Sequence, residues 1–438
     1  MKATLAEFDA RLQQLASVRR GLVHSVLSGS GSRGLQESAD ILREMLSDFV
    51  TLPRPASANR GEAESRGKAA EGTLRVLTES SGEQVTLDLS YEIGELGRDL
   101  LYFESGEASL LRQILPSGSG LREQAEAIAT YAGEGAAYRA WITDRDGTVN
   151  NYCGRYRSSI QPAYNAIVLS GFARDCAERS VILSSAPLAN CGLLDVSVVP
   201  ESQFVFAGSK GREFQDEQGR RGELPIAHDQ AGLLDDLNQR LSQLVAEPEY
   251  TVFSKIGSGL QFKFGQTTVA RQDIFGSIVP ARSRRFFELV SSIVAEIDPN
   301  GDCFRIEDTG KDIEVILTIS AANAAPDGPQ STRRDFDKGD GVVLMDRELD
   351  LKLSDAPVLV CGDTDSDIAM LRETAARTRR LSAVFVTTDQ GLKDRVRHYC
   401  TSARFADTPD VLVAALLLAS TRHGHHAGSQ PRPAPSAG

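Results

Sequence analysis

Two clusters of carboxylates could do chemistry in this 438-residue chain: I-T-D-R-D-G-T-V (142–149) and V-C-G-D-T-D-S-D-I-A-M-L (360–371), each at the end of an apolar run. Between them lie V-I-L-S-S (181–185) and F-D-K-G-D-G (336–341). In that order the four segments supply carboxylates, hydroxyl groups and a lysine. Chemistry on a phosphate needs that collection: a nucleophile, an acid, hard oxygen ligands for Mg²⁺, and cations or donors for the phosphoryl oxygens.

Asp144 and Asp146 are two apart, so in an extended segment both side chains project from one face. One carboxylate can attack phosphorus while the other manages the leaving-group proton. Gly147 and Thr148 allow a sharp turn whose amides could meet phosphate oxygens. Ser184 can donate its hydroxyl to a phosphoryl oxygen, with Ser185 a competing choice. Lys338, at the expected start of a helix, can neutralise both the phosphoryl group and Asp144. Asp363 and Asp367 are four apart across a strand–helix junction and can approach one Mg²⁺. Asp365, between them, reads as a helix cap or a solvated side chain. Taken singly, each feature has a plainer reading as a capping aspartate, a strand-end serine or a surface lysine. Two such carboxylate segments in one chain favour the chemical reading.

The elements that must position these residues start at about Ala137. Strand 138–143, helix 162–178, strands 181–184 and 203–207, strand 358–361, helix 366–377 and strand 384–387 alternate in the manner of a parallel sheet covered on both faces. Ligands of such sheets bind at the carboxyl ends of strands, where all four segments fall. Residues 210–325 interrupt the pattern. Helix 229–244, strands 250–256 and 260–265 about Gly257-Ser258-Gly259, helix 281–296, and strands 303–308 and 313–318 make an α-β-β-α-β-β insert that could cover the strand ends as a lid. The expected division is therefore an accessory region at 1–136, a core at 137–209 and 326–420, the insert at 210–325, and a disordered tail at 421–438.

Residues 1–50 carry helical spacing, with Leu5, Phe8, Leu12 and Leu15 on one face and Ile41, Leu42 and Met45 on a second segment. A linker at 52–67 and a hairpin over 74–89 about Ser81-Gly82 follow, then more helix to about 132. No chemistry is visible there, and packing or self-association is the expected role.

A net charge of −12 and a pI near 5.2 argue against nucleic-acid or anionic-membrane surfaces. No apolar run reaches membrane-spanning length, and the charged N-terminus lacks a secretory apolar segment. Six scattered cysteines read as free thiols of a reducing compartment, so a cytoplasmic location is expected.

The four segments resemble the motifs of the haloacid dehalogenase (HAD) superfamily phosphatases. The insert is similar to the α+β (C2-type) cap of that superfamily's sugar-phosphatase branch. Two further stretches, F-A-G-S-K-G-R-E-F (206–214) and T-G-K-D-I-E-V-I-L (309–317), resemble segments of trehalose-6-phosphate phosphatases. The resemblance covers about 137–420 and implies a Rossmann-like parallel-sheet core with that cap. It implies Asp144 as nucleophile and Asp146 as general acid/base, with Ser184 and Lys338 holding phosphate. Mg²⁺ would be bound by Asp144, the Asp146 backbone and Asp363, with Asp367 in support. Lys311 and Glu314 would meet sugar hydroxyls, and Lys210, Arg155 and Arg157 lie near enough in sequence to contact substrate. Lys210 stands where that family usually has histidine, Ile316-Leu317 replaces Arg-Pro, and Ser185-Ala186 replaces Gly-Arg. A small phosphorylated sugar or glycoside is the implied substrate, trehalose 6-phosphate or a related osmolyte phosphate. Phosphomutase activity or non-catalytic sugar-phosphate sensing are the competing functions.

Overall fold

The computed structural model describes residues 4–29, 32–55, 73–79, 82–133, 137–320, 333–354 and 356–426. Its centre is an eight-stranded sheet ordered Arg404–Ala406, Leu381–Val386, Val358–Gly362, Tyr138–Thr143, Ala177–Leu183, Val205–Gly208, Glu213–Gln215, Arg221–Glu223. The first six strands are parallel and the last two antiparallel. Alternate residues feed opposite cores, as the two-residue period requires. Trp141, Ile182, Phe206, Leu359, Cys361 and Val384 enter one core. Ala140, Ile142, Val181, Leu183, Val358, Val360 and Phe385 enter the other. Burial on both faces explains why these strands read as continuous apolar runs. Asp144 and Asp363 follow the two central strands, whose register pairs Thr143 with Cys361.

A second sheet, ordered Phe304–Asp308, Asp312–Leu317, Gln266–Ala270, Leu260–Lys263, is antiparallel throughout. Helices His228–Ala246 and Pro280–Ile297 accompany it, giving the expected α-β-β-α-β-β order. Two expectations change. The segment expected as strand 250–256 forms a 3₁₀ turn at Thr251–Ser254, where Phe253 stacks on Phe286 at 3.9 Å between ring centroids. Core packing of that aromatic outweighs its strand propensity, and the hairpin instead turns about Gly265. The core sheet also extends past residue 209, because Glu213–Gln215 folds back on Val205–Gly208 as a hairpin. A two-stranded ribbon, Ile319–Ser320 against Arg333–Arg334, joins insert to core.

The helix Leu5–Leu27 buries Leu5, Phe8, Leu12 and Leu15 as its spacing predicts, and Leu42 and Met45 of Ser32–Thr51 are also buried. Strands Leu74–Thr78 and Gln84–Asp88 form the hairpin. Most of the expected linker at 52–67 lies outside the described residues. The last helix, Pro409–His426, runs into the stretch expected to be disordered, with the remainder of that stretch outside the described residues. Its apolar run Val411–Leu416 packs into the same core as Trp141, and that packing carries the helix into the polar sequence beyond. Among the described residues no helix is long and apolar enough to cross a membrane. All six cysteines are free.

Glu92, on the helix Ser90–Ser105, is 2% exposed, and burial pushes its carboxyl up to about 7. A folded value above the unfolded one means stability is intact at low pH and is lost as pH rises through about 7. Glu92→Gln should therefore lose less stability than the wild type between about pH 5 and about pH 8, read as denaturant midpoints. Equal losses in the two proteins would contradict the assignment.

Candidate active site

Lys338 stands at the centre. Its helix, Lys338–Leu349, starts there because Asp337 and Asp340 form a capping box: Asp340 N donates to Asp337 Oδ1 and Asp337 N to Asp340 Oδ2, both at 2.9 Å. The helix start packs tightly on the turn after Val205–Gly208. A Cβ on Gly341 would lie 2.2 Å from the Lys210 carbonyl oxygen, so only glycine fits. Thus placed, the Lys338 ammonium donates to Asp144 Oδ1 at 2.5 Å and to Asp367 Oδ1 at 2.6 Å, and is 3% exposed.

Asp144, Asp363 and Asp367 each present an oxygen within 4.8 Å of the others. Thr148 ties the strand ends together, its hydroxyl lying 3.3 Å from Asp144 Oδ2 and 3.0 Å from Asp363 Oδ1. Gly147 has φ of 89°, and a Cβ there would fall 2.2 Å from Asp363 Oδ2. That glycine lets the turn close over the second carboxylate. Asp367 is fully engaged: Oδ1 faces Lys338, while Oδ2 accepts from the amides of Asp363 and Thr364 at 3.0 Å each. It anchors the loop that aims Asp363. Asp365 occupies the helix N-cap without a capping bond; its side chain accepts from Arg395 at 2.8 Å.

Burial, followed by the like charges of Asp144 and Asp367, pushes Asp363 up to about 8. Asp144 rises to about 6 because burial outweighs the attraction of Lys338. When all are ionised, three carboxylates against one ammonium leave an excess of two negative charges on hard oxygen donors, the repulsion that, after burial, raises Asp363. That surplus fits a divalent cation, which Asp144 and Asp363 would hold. The Asp146 carboxylate lies outside this group. Its Oδ1 accepts from Arg145 at 2.5 Å and Ser159 Oγ at 2.8 Å, and the metal role that the resemblance assigns to Asp146 is its backbone's.

Ser184 is buried at the end of Ala177–Leu183, its Oγ accepting from Ala186 N at 3.1 Å; Ser185, in the same loop, is half-buried. Lys210 N donates to the Ser184 carbonyl at 2.9 Å, and Ser209, Lys210 and Gly211 all have positive φ. This tight turn presses the Ser184 loop against the start of the Lys338 helix. Arg155 is committed elsewhere, to Asp9 at 2.6 Å and the Lys255 carbonyl at 2.8 Å, and Arg157 is exposed 3.8 Å from Asp9.

The second sheet has one apolar face, with Val269, Ile313 and Val315, and one polar face carrying Gln261, Lys263, Gln266, Thr268, Asp312 and Glu314. Lys263 is 7% exposed and 4.0 Å from Glu314; burial lowers its ammonium's pKa, Glu314 raises it, and nearby Lys210 lowers it further. Lys210 and Glu314 thus meet around Lys263, a residue the sequence reading missed, although the alternation Gln261–Phe262–Lys263 could have marked it. Lys311 is exposed on the adjoining turn, its carbonyl accepting from Arg271 N at 2.7 Å. Tyr152 was also missed. It is 64% exposed, yet the surrounding protein and the carboxylates of Asp312, Asp146 and Asp363 push its hydroxyl up to about 12.

A parallel sheet with these four segments at one rim and an inserted α+β cap defines the HAD class. The family model "Trehalose-6-phosphate phosphatase, C-terminal" matches residues 141–412, and the chain belongs to that family. It is 31% identical to alpha,alpha-trehalose-phosphate synthase [UDP-forming] 2 of Caenorhabditis elegans over 96% of this chain and 34% of that protein. It is 29% identical to the synthase 1 of Caenorhabditis briggsae over 95% of this chain and 31% of that protein. A trehalose-phosphatase of C. elegans is 30% identical over 63% of this chain and 62% of its own length. The chain thus spans about a third of the length of the two synthases.

Binding of a divalent cation is expected to stabilise the fold. Mg²⁺ at about a hundred times its Kd should add about 2.7 kcal/mol, read as a rise in Tm relative to chelated protein. Asp363→Asn should lose that rise. A wild type whose Tm ignores Mg²⁺ would count against the cation site.

Proposed function

We propose that this chain is a Mg²⁺-dependent phosphatase that hydrolyses a phosphorylated sugar or glycoside through an aspartyl-phosphate. The observation that carries the reading is the shared ammonium of Lys338 between Asp144 and Asp367, with Asp363 within 4.8 Å at the same rim. Trehalose 6-phosphate is the favoured substrate, supported by the family match and by relatives named trehalose-phosphatase. The polar face around Lys263 and Glu314 suits a hydroxyl-rich ligand.

In this mechanism an Asp144 oxygen attacks phosphorus as the bond from phosphorus to the sugar oxygen breaks. Asp146 gives that oxygen its proton and then takes one from water, which attacks the aspartyl-phosphate and releases inorganic phosphate and the Asp144 carboxylate. Lys338 and the Ser184 hydroxyl offset and orient the phosphoryl oxygens. The cation, when bound, supplies further charge neutralisation at the phosphoryl group. The cap's polar face, with Lys263, Glu314 and the neighbouring Lys210 and Lys311, would bind the sugar.

Asp144→Asn should abolish phosphate release while preserving the fold by circular dichroism; release at the wild-type rate would refute the covalent route. Truncating the cap should act on binding alone. Glu314→Ala and Lys263→Ala should each raise KM for trehalose 6-phosphate about tenfold or more, the cost of losing a hydrogen bond to a charged group. KM for p-nitrophenyl phosphate, which has no sugar, should stay put. Parallel shifts for both esters would remove the cap from substrate recognition.

A further inference from the structure

The N-terminal helices reach the catalytic rim through one stretch of loop. Asp146 Oδ1 is seated on Arg145 Nη1 at 2.5 Å and Ser159 Oγ at 2.8 Å, with Asn150 Nδ2 at 3.5 Å. Arg145 is 1% exposed and donates through its other terminal nitrogen to the carbonyls of Ser159 and Val196. Ser159 and Ile160 therefore form the wall of this seat.

That wall is fastened from behind by residues 1–136. The Ile160 carbonyl accepts from Arg19 Nη1 at 2.8 Å and lies 3.0 Å from the Tyr91 hydroxyl, which is also 3.1 Å from Asn150 Oδ1. Arg19 Nε donates to Asp99 Oδ2 at 2.8 Å, with side chains 1% and 0% exposed. The other Asp99 oxygen accepts from Tyr164 N at 3.0 Å, at the start of the helix Ala163–Cys176. Asn151, on the same loop, donates to Glu95 at 2.9 Å and to Asp410 at 2.8 Å. A buried ion pair is costly to desolvate. Here it joins three segments: Leu5–Leu27, Ser90–Ser105 and the loop that follows Asp146.

We propose that residues 1–136 are a positioning element of the active site: through Arg19 and Tyr91 they fix Ile160, Ser159 and Asn150, and so set where the Asp146 carboxylate delivers its proton. The inference rests on the reading of Asp146 as the acid that protonates the leaving group. It has a consequence that general loss of stability does not share. A sugar alkoxide needs that proton as it departs, whereas p-nitrophenolate is stable as an anion and needs none. The ratio kcat/KM reports only the steps through cleavage of the phosphorus–oxygen bond, so the defect should depend on the leaving group.

The test uses the full chain with Mg²⁺. Tyr91→Phe removes the hydroxyl and keeps the ring. It should lower kcat/KM for trehalose 6-phosphate about tenfold or more, since small displacements of a catalytic group are costly, and leave p-nitrophenyl phosphate nearly unchanged. In an Asp146→Asn background the same substitution should add little, because both act through one group. Arg19→Lys, which keeps the charge beside Asp99 but cannot make both Arg19 contacts, should repeat the pattern and serves if Tyr91→Phe fails to fold. Equal losses on both esters, no loss on either, or full additivity with Asp146→Asn would overturn the positioning role. A wild type that cleaves neither ester would instead defeat the phosphatase reading.

Discussion

One buried ammonium governs the arrangement of the catalytic rim. Lys338 lies between Asp144, which follows a central strand, and Asp367, in the first turn of a helix, and so fixes three elements at once. Burying such charges is expensive, and removing one partner costs more than the set contributes, because the others are left uncompensated. The surrounding devices serve this contact. The Asp337–Asp340 capping box sets where the lysine's helix begins, Gly341 lets that helix approach the Lys210 turn, and the amides of Asp363 and Thr364 saturate Asp367. The resulting deficit of positive charge is what makes the pocket a fit for a cation.

Two sheets divide the chemistry spatially. The parallel sheet presents carboxylates where strand ends converge, and the inserted antiparallel sheet presents amides, a lysine and carboxylates on its polar face. Among the described residues, Ile319–Ser320 and Arg333–Arg334 form a ribbon of two residue pairs between insert and core.

The N-terminal helices belong to the same physical unit as the core. Their apolar faces enter the core that also holds Trp141 and Phe172, and their polar side chains, Asp9, Arg19, Tyr91, Glu95 and Asp99, bond to residues between 150 and 164. These contacts join positions 59 to 146 residues apart, which no local pattern can announce.

The sequence by itself determined the alternation of strands and helices, the order of the insert's elements, the apolar faces of the first helices, and the identity of Asp144, Asp363 and Lys338 as partners. These features are written in short periods and short spacings, which backbone geometry converts directly into shared faces and strand ends. Tertiary structure alone decided that Thr251–Ser254 would turn so that Phe253 could stack on Phe286, that the core sheet would continue to Glu223, and that Pro409–His426 would carry helix into a polar stretch. It alone turned the Asp146 carboxylate onto Arg145 and Ser159, sent Arg155 to Asp9 and brought Lys263 beside Glu314. Each of those outcomes depends on which distant charge or ring happens to be buried nearby, and burial is a property of the folded chain rather than of any window of its sequence.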